Sequence, residues 1–312
     1  MAESISISIY LYYRSHNAYY QIGGLPSPTN PYLFNGDFVD RGSFSLEVVV
    51  TLLAFKLAVP DGLHMTRGNH ETKGMNKIYG FEGEVKHKYD NVIMQIFSEV
   101  FQWIPLCAVI NDAVFVVHGG LSTINDGCVT LKEIEELRRD REPPESGLMS
   151  DLLWSGKCDL CLCVTTLYVL LRVDVCHCNL YLTVYMLLFY VFVVYHVVCA
   201  DPQPLPGRSP SNRGVGFSFG PDITNNFLRT NNLRLVVRSH ELKEEGYVVE
   251  HGGKCITIFS APNYCDQMGN KGAFIRFSED RDMEPEFVQF GSVPHPNVPP
   301  MHYASAMSQF GL

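Results

Sequence analysis

Several short apolar runs in this chain each end on a knot of ionisable residues, most of them beside glycine, and this pattern most restricts its fold. PYLF at 31–34 runs into Asn35, Gly36 and Asp37, then Asp40, Arg41 and Gly42. LHMT at 63–66 runs into Arg67, Gly68, Asn69, His70 and Glu71. AVFVV at 113–117 runs into His118, Gly119 and Gly120, and LRLVV at 233–237 into Arg238, Ser239 and His240. Runs of this length read as strands, while SLEVVVTLLAFKLAV (45–59) and NVIMQIFSEVFQWI (91–104) between them read as buried helices. Strands separated by helices predict a layered α/β fold. In such folds ligands bind beyond the carboxyl ends of the strands, where the ionisable residues of this chain gather.

Further elements follow from the same reasoning. LKEIEELRRD (131–140) predicts an exposed helix, with Glu135 and Arg139 paired four residues apart. ITNNFLRTNN predicts a helix, and KCITIFSAP and GAFIRFS predict strands. His251-Gly252-Gly253 repeats the HGG string of His118, but its flanks, GYVVE and KCITIF, make it a hairpin turn. DPQPLPGRSPSNRG (201–214) reads as a loop, and the tail is Pro-rich with a helical end. At 46% hydrophobic over 312 residues the chain can bury a sizeable core. A net charge of -9 argues against nucleic acid as a partner, because that affinity comes from neutralising phosphates. The N-terminus lacks the basic start and cleavage site of a signal peptide.

Residues 156–200 differ in kind. From Asn179 to Cys199 there is no Asp, Glu, Lys or Arg, a composition that suits a membrane-spanning helix. The segment also holds Cys158, Cys161, Cys163, Cys176, Cys178 and Cys199, at spacings that match zinc sites poorly. Cys107, Cys128, Cys255 and Cys265 are scattered, as buried thiols are. Codons for Gly156-Lys157 and Ala200-Asp201 can hold a splice donor and acceptor whose use would join LLWS to DPQP. The segment therefore reads as a retained intron or as a real exon with a membrane span.

The strand-end residues offer carboxylate, amide and imidazole donors, a mixture that suits Mn, Fe or Zn, and a two-metal site is a common solution for phosphate ester hydrolysis. Taken singly they mean little. A lone strand-end His is ordinarily a hydrogen-bonded structural residue, Asp37 after Gly36 could be a turn former, and Arg41 and Arg213 could be surface ion-pair residues. Taken together, GDFVDRG, RGNHE, HGGLS, RSHE and SAPNYC occur in this order and resemble the phosphoprotein phosphatase family over about residues 24–155 and 201–312.

That resemblance implies an α/β metallophosphoesterase-type sandwich of two mixed sheets flanked by helices, and metal-dependent hydrolysis of phosphoserine and phosphothreonine in phosphoprotein substrates. Two divalent cations (Mn, Fe or Zn) would be bound. Asp37 would bridge them, and Asn69, His118 and His240 would complete the second site. His70 would be the general acid, oriented and charged by Asp40. Arg41 and Arg213 would clamp the phosphoryl group, and Tyr264 would line the substrate pocket. The family's opening GD-x-HG motif is missing: no Asp precedes Asp37, and the only earlier His is His16. The first metal site is therefore expected to be impaired and activity to be low. The expected organisation is an atypical segment at 1–21, a catalytic domain from 22–155 and 201–312, and the insert at 156–200. The expected location is cytoplasm and nucleus, or endomembrane if residues 179–199 span a bilayer. Other readings are an inactive or membrane-tethered phosphoprotein-binding form, and a dinuclear phosphodiesterase, which should lack SAPNYC.

Overall fold

The computed structural model describes residues 4–8, 20, 22–122, 128–154, 201–210, 217–278, 282–294, 297–299 and 301–304. Arg213 and the whole of 156–200 lie outside the described residues, as does the tail beyond 304. Among the described residues no helix is long and apolar enough to cross a membrane.

Two five-stranded sheets form the centre. The first contains β1 (Ser4–Ser8), β2 (Tyr32–Asn35), β3 (Leu63–Thr66), β11 (Gly272–Ser278) and β12 (Glu286–Phe290), in the order β12-β11-β1-β2-β3. The second contains β4 (Cys107–Ile110), β5 (Val114–Val117), β8 (Leu235–Arg238), β9 (Tyr247–Glu250) and β10 (Cys255–Ile258), in the order β4-β5-β8-β10-β9. Both sheets are mixed. β1, β2 and β3 run parallel, as do β5, β8 and β10, and the other pairings are antiparallel. A small ribbon of β6 (Arg208–Pro210) and β7 (Phe217–Phe219) falls inside and after the stretch expected to be a loop.

Alternation along each strand divides the apolar side chains between layers. Leu33 of β2, Val114 and Val116 of β5, Leu235 and Val237 of β8, and Ile275 and Phe277 of β11 fill the space between the sheets. Tyr32 and Phe34 point the other way and pack under α1 (Ser45–Ala58), α3 (Phe81–Lys88) and α4 (Asn91–Trp103). Phe115, Val117 and Val236 pack under α5 (Leu131–Glu135), α6 (Leu148–Trp154) and α7 (Pro221–Thr230). A short α2 (Lys73–Tyr79) precedes α3. The result is helix, sheet, sheet, helix: the sandwich expected from the sequence.

Two local expectations change. The helix at 131–140 ends at Glu135, so Glu135 and Arg139 do not share a helix; Arg139 Nε instead donates to the Trp103 carbonyl at 3.3 Å. Its start is well specified, because Thr130 and Glu133 form a reciprocal capping box. The N-terminal residues 4–8 are part of the first sheet, with β1 parallel to β2 and antiparallel to β11. The hairpin reading of His251-Gly252-Gly253 holds: the three residues form a 3-10 turn between antiparallel β9 and β10.

Candidate functional site

The carboxyl ends of β2, β3, β5 and β8 open toward one another. Gly36 has φ +79°, and a Cβ there would meet His118 Nδ1 at 2.5 Å and the Gly68 backbone at 2.6 Å. Only glycine lets the β2 and β3 turns close this far. Asp37, Asp40, Arg41 and His240 all adopt left-handed φ of 56°, 73°, 56° and 73°. Such conformations cost free energy outside glycine and gather at functional sites.

The turns bring Asp37, Asn69, His118 and His240 together. His118 Nε2 lies 3.1 Å from Asp37 Oδ2, 3.1 Å from Asn69 Oδ1 and 3.2 Å from His240 Nδ1. His240 Nδ1 is 3.0 Å from Asn69 Oδ1. The Nδ1–H of His118 donates to the Asn35 carbonyl at 2.8 Å, which leaves Nε2 with a lone pair facing the cluster. Oxygen and nitrogen donor atoms therefore gather at a common centre, an arrangement that suits a cation. Donors ~2.1 Å from a metal and at right angles to each other would stand ~3.0 Å apart, close to these separations. The four residues fit a divalent cation by chemistry and by spacing. Among the described residues Asp37, His118 and His240 form the group of acid and imidazole side chains able to hold a metal.

Asp37 is buried. Burial works against its ionisation, but the facing imidazoles of His118, His70 and His240 outweigh this and hold the carboxyl below its ordinary range. Its Oδ1 accepts the His70 backbone N–H at 3.0 Å. Beneath it, Glu71 accepts the backbone N–H groups of Asp37 (2.7 Å), Phe38 (2.8 Å) and Gly68 (2.8 Å), tying the β2 and β3 turns together. Burial, with the Asp37 carboxylate beside it, pushes the Glu71 carboxyl well above its usual range despite these bonds.

His70 and Asp40 form the second unit. His70 Nδ1 lies 2.8 Å from Asp40 Oδ2, and Asp40 is fixed by Asn76 Nδ2 at 3.2 Å and the Phe81 backbone N–H at 2.9 Å. With Nδ1 bonded to the carboxylate, Nε2 is the nitrogen that would exchange a proton with a bound molecule. Arg41 is bracketed by aromatic rings, its guanidinium carbon 4.3 Å from the Tyr79 centroid and 5.8 Å from that of Tyr264. Tyr264 rests edge-on against Phe259, with centroids 5.2 Å apart.

Of the residues expected from the sequence, Asp37, Asn69, His118 and His240 converge. Asp40 and His70 pair beside them, and Arg41 and Tyr264 stand together near His70 through Tyr79, whose ring is 5.1 Å from the imidazole. Arg213 lies outside the described residues. Sequence reasoning gave no particular role to Glu71, Arg67, Arg238 and Asn35. Arg67 and Arg238 are fully buried. Arg67 donates to the Glu71 and Arg141 carbonyls at 3.0 and 2.9 Å. Arg238 donates to the Gly119 carbonyl, pairs with Glu241 at 2.5 Å and reaches Asp201 at 3.7 Å. The available signal was an arginine closing an otherwise apolar strand, a position where burial demands partners.

The fold and site define a metallophosphoesterase, and the chain belongs to the calcineurin-like phosphoesterase family, whose model matches residues 13–244. Within that family it is similar to serine/threonine-protein phosphatase 5 of Solanum lycopersicum, at 54% identity over 92% of this chain and 43% of that protein. It is 50% identical to the Homo sapiens protein of the same name, over 94% of this chain and 49% of the relative. The chain thus spans about half the length of these curated relatives. A solved structure of a protein serine/threonine phosphatase from Saccharomyces cerevisiae, described as similar to human PP5, superimposes with a TM-score of 0.78 at 36% identity, covering 96% of this chain and 83% of that one.

Proposed function

We propose that this chain hydrolyses phosphoserine and phosphothreonine esters in proteins, with low activity. The observation that carries the reading is the convergence of Asp37, Asn69, His118 and His240 beside the His70–Asp40 pair. The four donors would hold a divalent cation, with Mn, Fe and Zn all compatible with their chemistry. When bound, the cation supplies Lewis-acid polarisation of the phosphoryl group and makes water more acidic. The chain's own residues do the rest. His70 donates a proton from Nε2 to the departing seryl or threonyl oxygen, while Asp40 holds Nδ1 and compensates the imidazolium charge. Arg41, kept in place by Tyr79 and Tyr264, contributes a guanidinium to the phosphoryl oxygens, and Arg213 is assigned the same task from its motif. Tyr264 shapes the pocket wall for the peptide.

Low activity follows from the residues before Asp37, which contain no Asp. A site deprived of a first cation cannot clamp both the attacking and the leaving oxygen. The same gap supports a second reading, a chain that binds phosphoproteins without turning them over. We further assign the chain to cytoplasm and nucleus, with membrane attachment dependent on residues 179–199.

Release of inorganic phosphate from a phosphoserine peptide, measured with the full chain and added Mn, tests the proposal. The expectation is slow, Mn-dependent release that falls a further ~10²-fold or more in Asp40→Asn, through loss of the proton donor's partner. Peptide binding without release, in wild type and Asp40→Asn alike, would favour the second reading.

A further inference from the structure

We propose that Asn35 is a positioning residue that locks the two sheets in register beneath the metal ligands. This rests on reading Asp37, Asn69, His118 and His240 as those ligands. Asn35 ends β2, is fully buried and shares the inter-sheet side of that strand with Leu33. Its Nδ2 donates to the Val117 carbonyl at 2.8 Å and to Ser239 Oγ at 2.6 Å, and its Oδ1 accepts from Thr66 Oγ1 at 2.6 Å. Both amide protons are used, and the acceptor-only Val117 carbonyl fixes which way the amide points. The Asn35 main-chain carbonyl also accepts from His118 Nδ1 at 2.8 Å.

The placement of these partners carries the inference. Val117 directly precedes His118, and Ser239 directly precedes His240. Thr66 comes shortly before Asn69, and Asn35 itself shortly before Asp37. One residue therefore stands just upstream of Asp37, and its amide touches the chain shortly upstream of the other three ligands, one of them in its own sheet and two in the other. Apolar packing between the sheets is non-directional, so by itself it tolerates small sliding of one sheet on the other. The hydrogen bonds of Asn35 do not, because their strength falls steeply with distance and angle. A slip of one sheet would separate Asp37 and Asn69 from His118 and His240 while leaving each sheet intact.

The test uses the full metal-free chain, with Mn affinity read by titration calorimetry and Tm by scanning calorimetry. Asn35→Leu keeps the shape and removes the bonds; it should weaken Mn binding on the order of 10–100-fold, the usual range for residues that orient ligands. Ser239→Ala and Thr66→Val should each weaken it by less. Leu52→Ala, in a helix on the far side of the first sheet, should lower Tm without changing Mn affinity. Asn35→Leu that lowers Tm yet binds Mn like wild type overturns the proposal. If that variant does not fold, wild-type affinity in both Ser239→Ala and Thr66→Val overturns it instead. A wild-type chain that does not bind Mn, or binds it equally well as Asp37→Asn, overturns the metal reading itself and this inference with it.

Discussion

β1 and β2 are parallel neighbours in one sheet, so their carboxyl ends reach the same edge of the molecule. After β2 come Gly36, Asp37, Asp40 and Arg41, all held in left-handed backbone, the first three of them buried. After β1 come Ile9, Tyr10, Leu11, Tyr12 and Tyr13, with no acid among them. The sheet accepts both strands because pairing asks only for extended backbone. The chemistry does not, because it asks for particular donors at a particular edge. A strand's place in the sheet therefore says nothing by itself about whether it supplies donors at that edge.

Asp37→Asn attacks the β2 side and should have the largest effect. It removes the one carboxylate among the four donors, and Mn affinity should fall beyond the ~100-fold that outer positions can cost. Calorimetric titration checks this. The reciprocal change equips the β1 side: replacing the residues after Ser8 with a Gly-Asp-x-His-Gly sequence should raise the cation count from one to two per chain by elemental analysis. Phosphate release should then rise ~10²-fold or more, since a second cation contributes several kcal/mol to the transition state. Ile7→Pro asks what β1 still does. It deletes a ladder donor in a strand paired on both sides, so stability should drop by about 1–3 kcal/mol, measured by urea unfolding, with Mn stoichiometry of the folded protein unchanged.

The smallest effect concerns a buried carboxylate away from the cation donors. Asp151 accepts from Ser122 Oγ, and burial pushes its carboxyl above the ordinary value of 3.8 against that bond. A raised native pKa favours folding below the unfolded value and loses that contribution as pH rises through the native one. Asn carries no charge to bury, so the Tm of Asp151→Asn relative to wild type, followed by scanning calorimetry, should increase as pH rises from 4 to 7.

Much of this was legible in the sequence. Asp37, Asn69, His118 and His240 are visible because each follows an apolar run, the first three beside glycine, and the helices at 45–58 and 91–103 are visible from their apolar spacing. β1 was not, because SISIS shows alternation but nothing in five residues names a partner strand. Helix α5 was overextended because charge spacing at 131–140 rewards a helix that the loop to Trp103 does not allow. Asn35 and Glu71 were hidden for a different reason. Their roles depend on which main-chain groups approach them, and those groups lie far away in sequence.

Gly119 has a consequence for how the chain tolerates change. Its N–H donates to the Leu152 carbonyl at 2.8 Å, and its carbonyl receives the Arg238 guanidinium that also faces Asp201. The end of α6 and Asp201 are therefore linked through Gly119 and Arg238. Lengthening a tether between fixed ends is thermodynamically mild, each doubling costing only ~0.6 kcal/mol. Changes in the segment between Trp154 and Asp201 therefore act on ends whose positions the Gly119 and Arg238 contacts set.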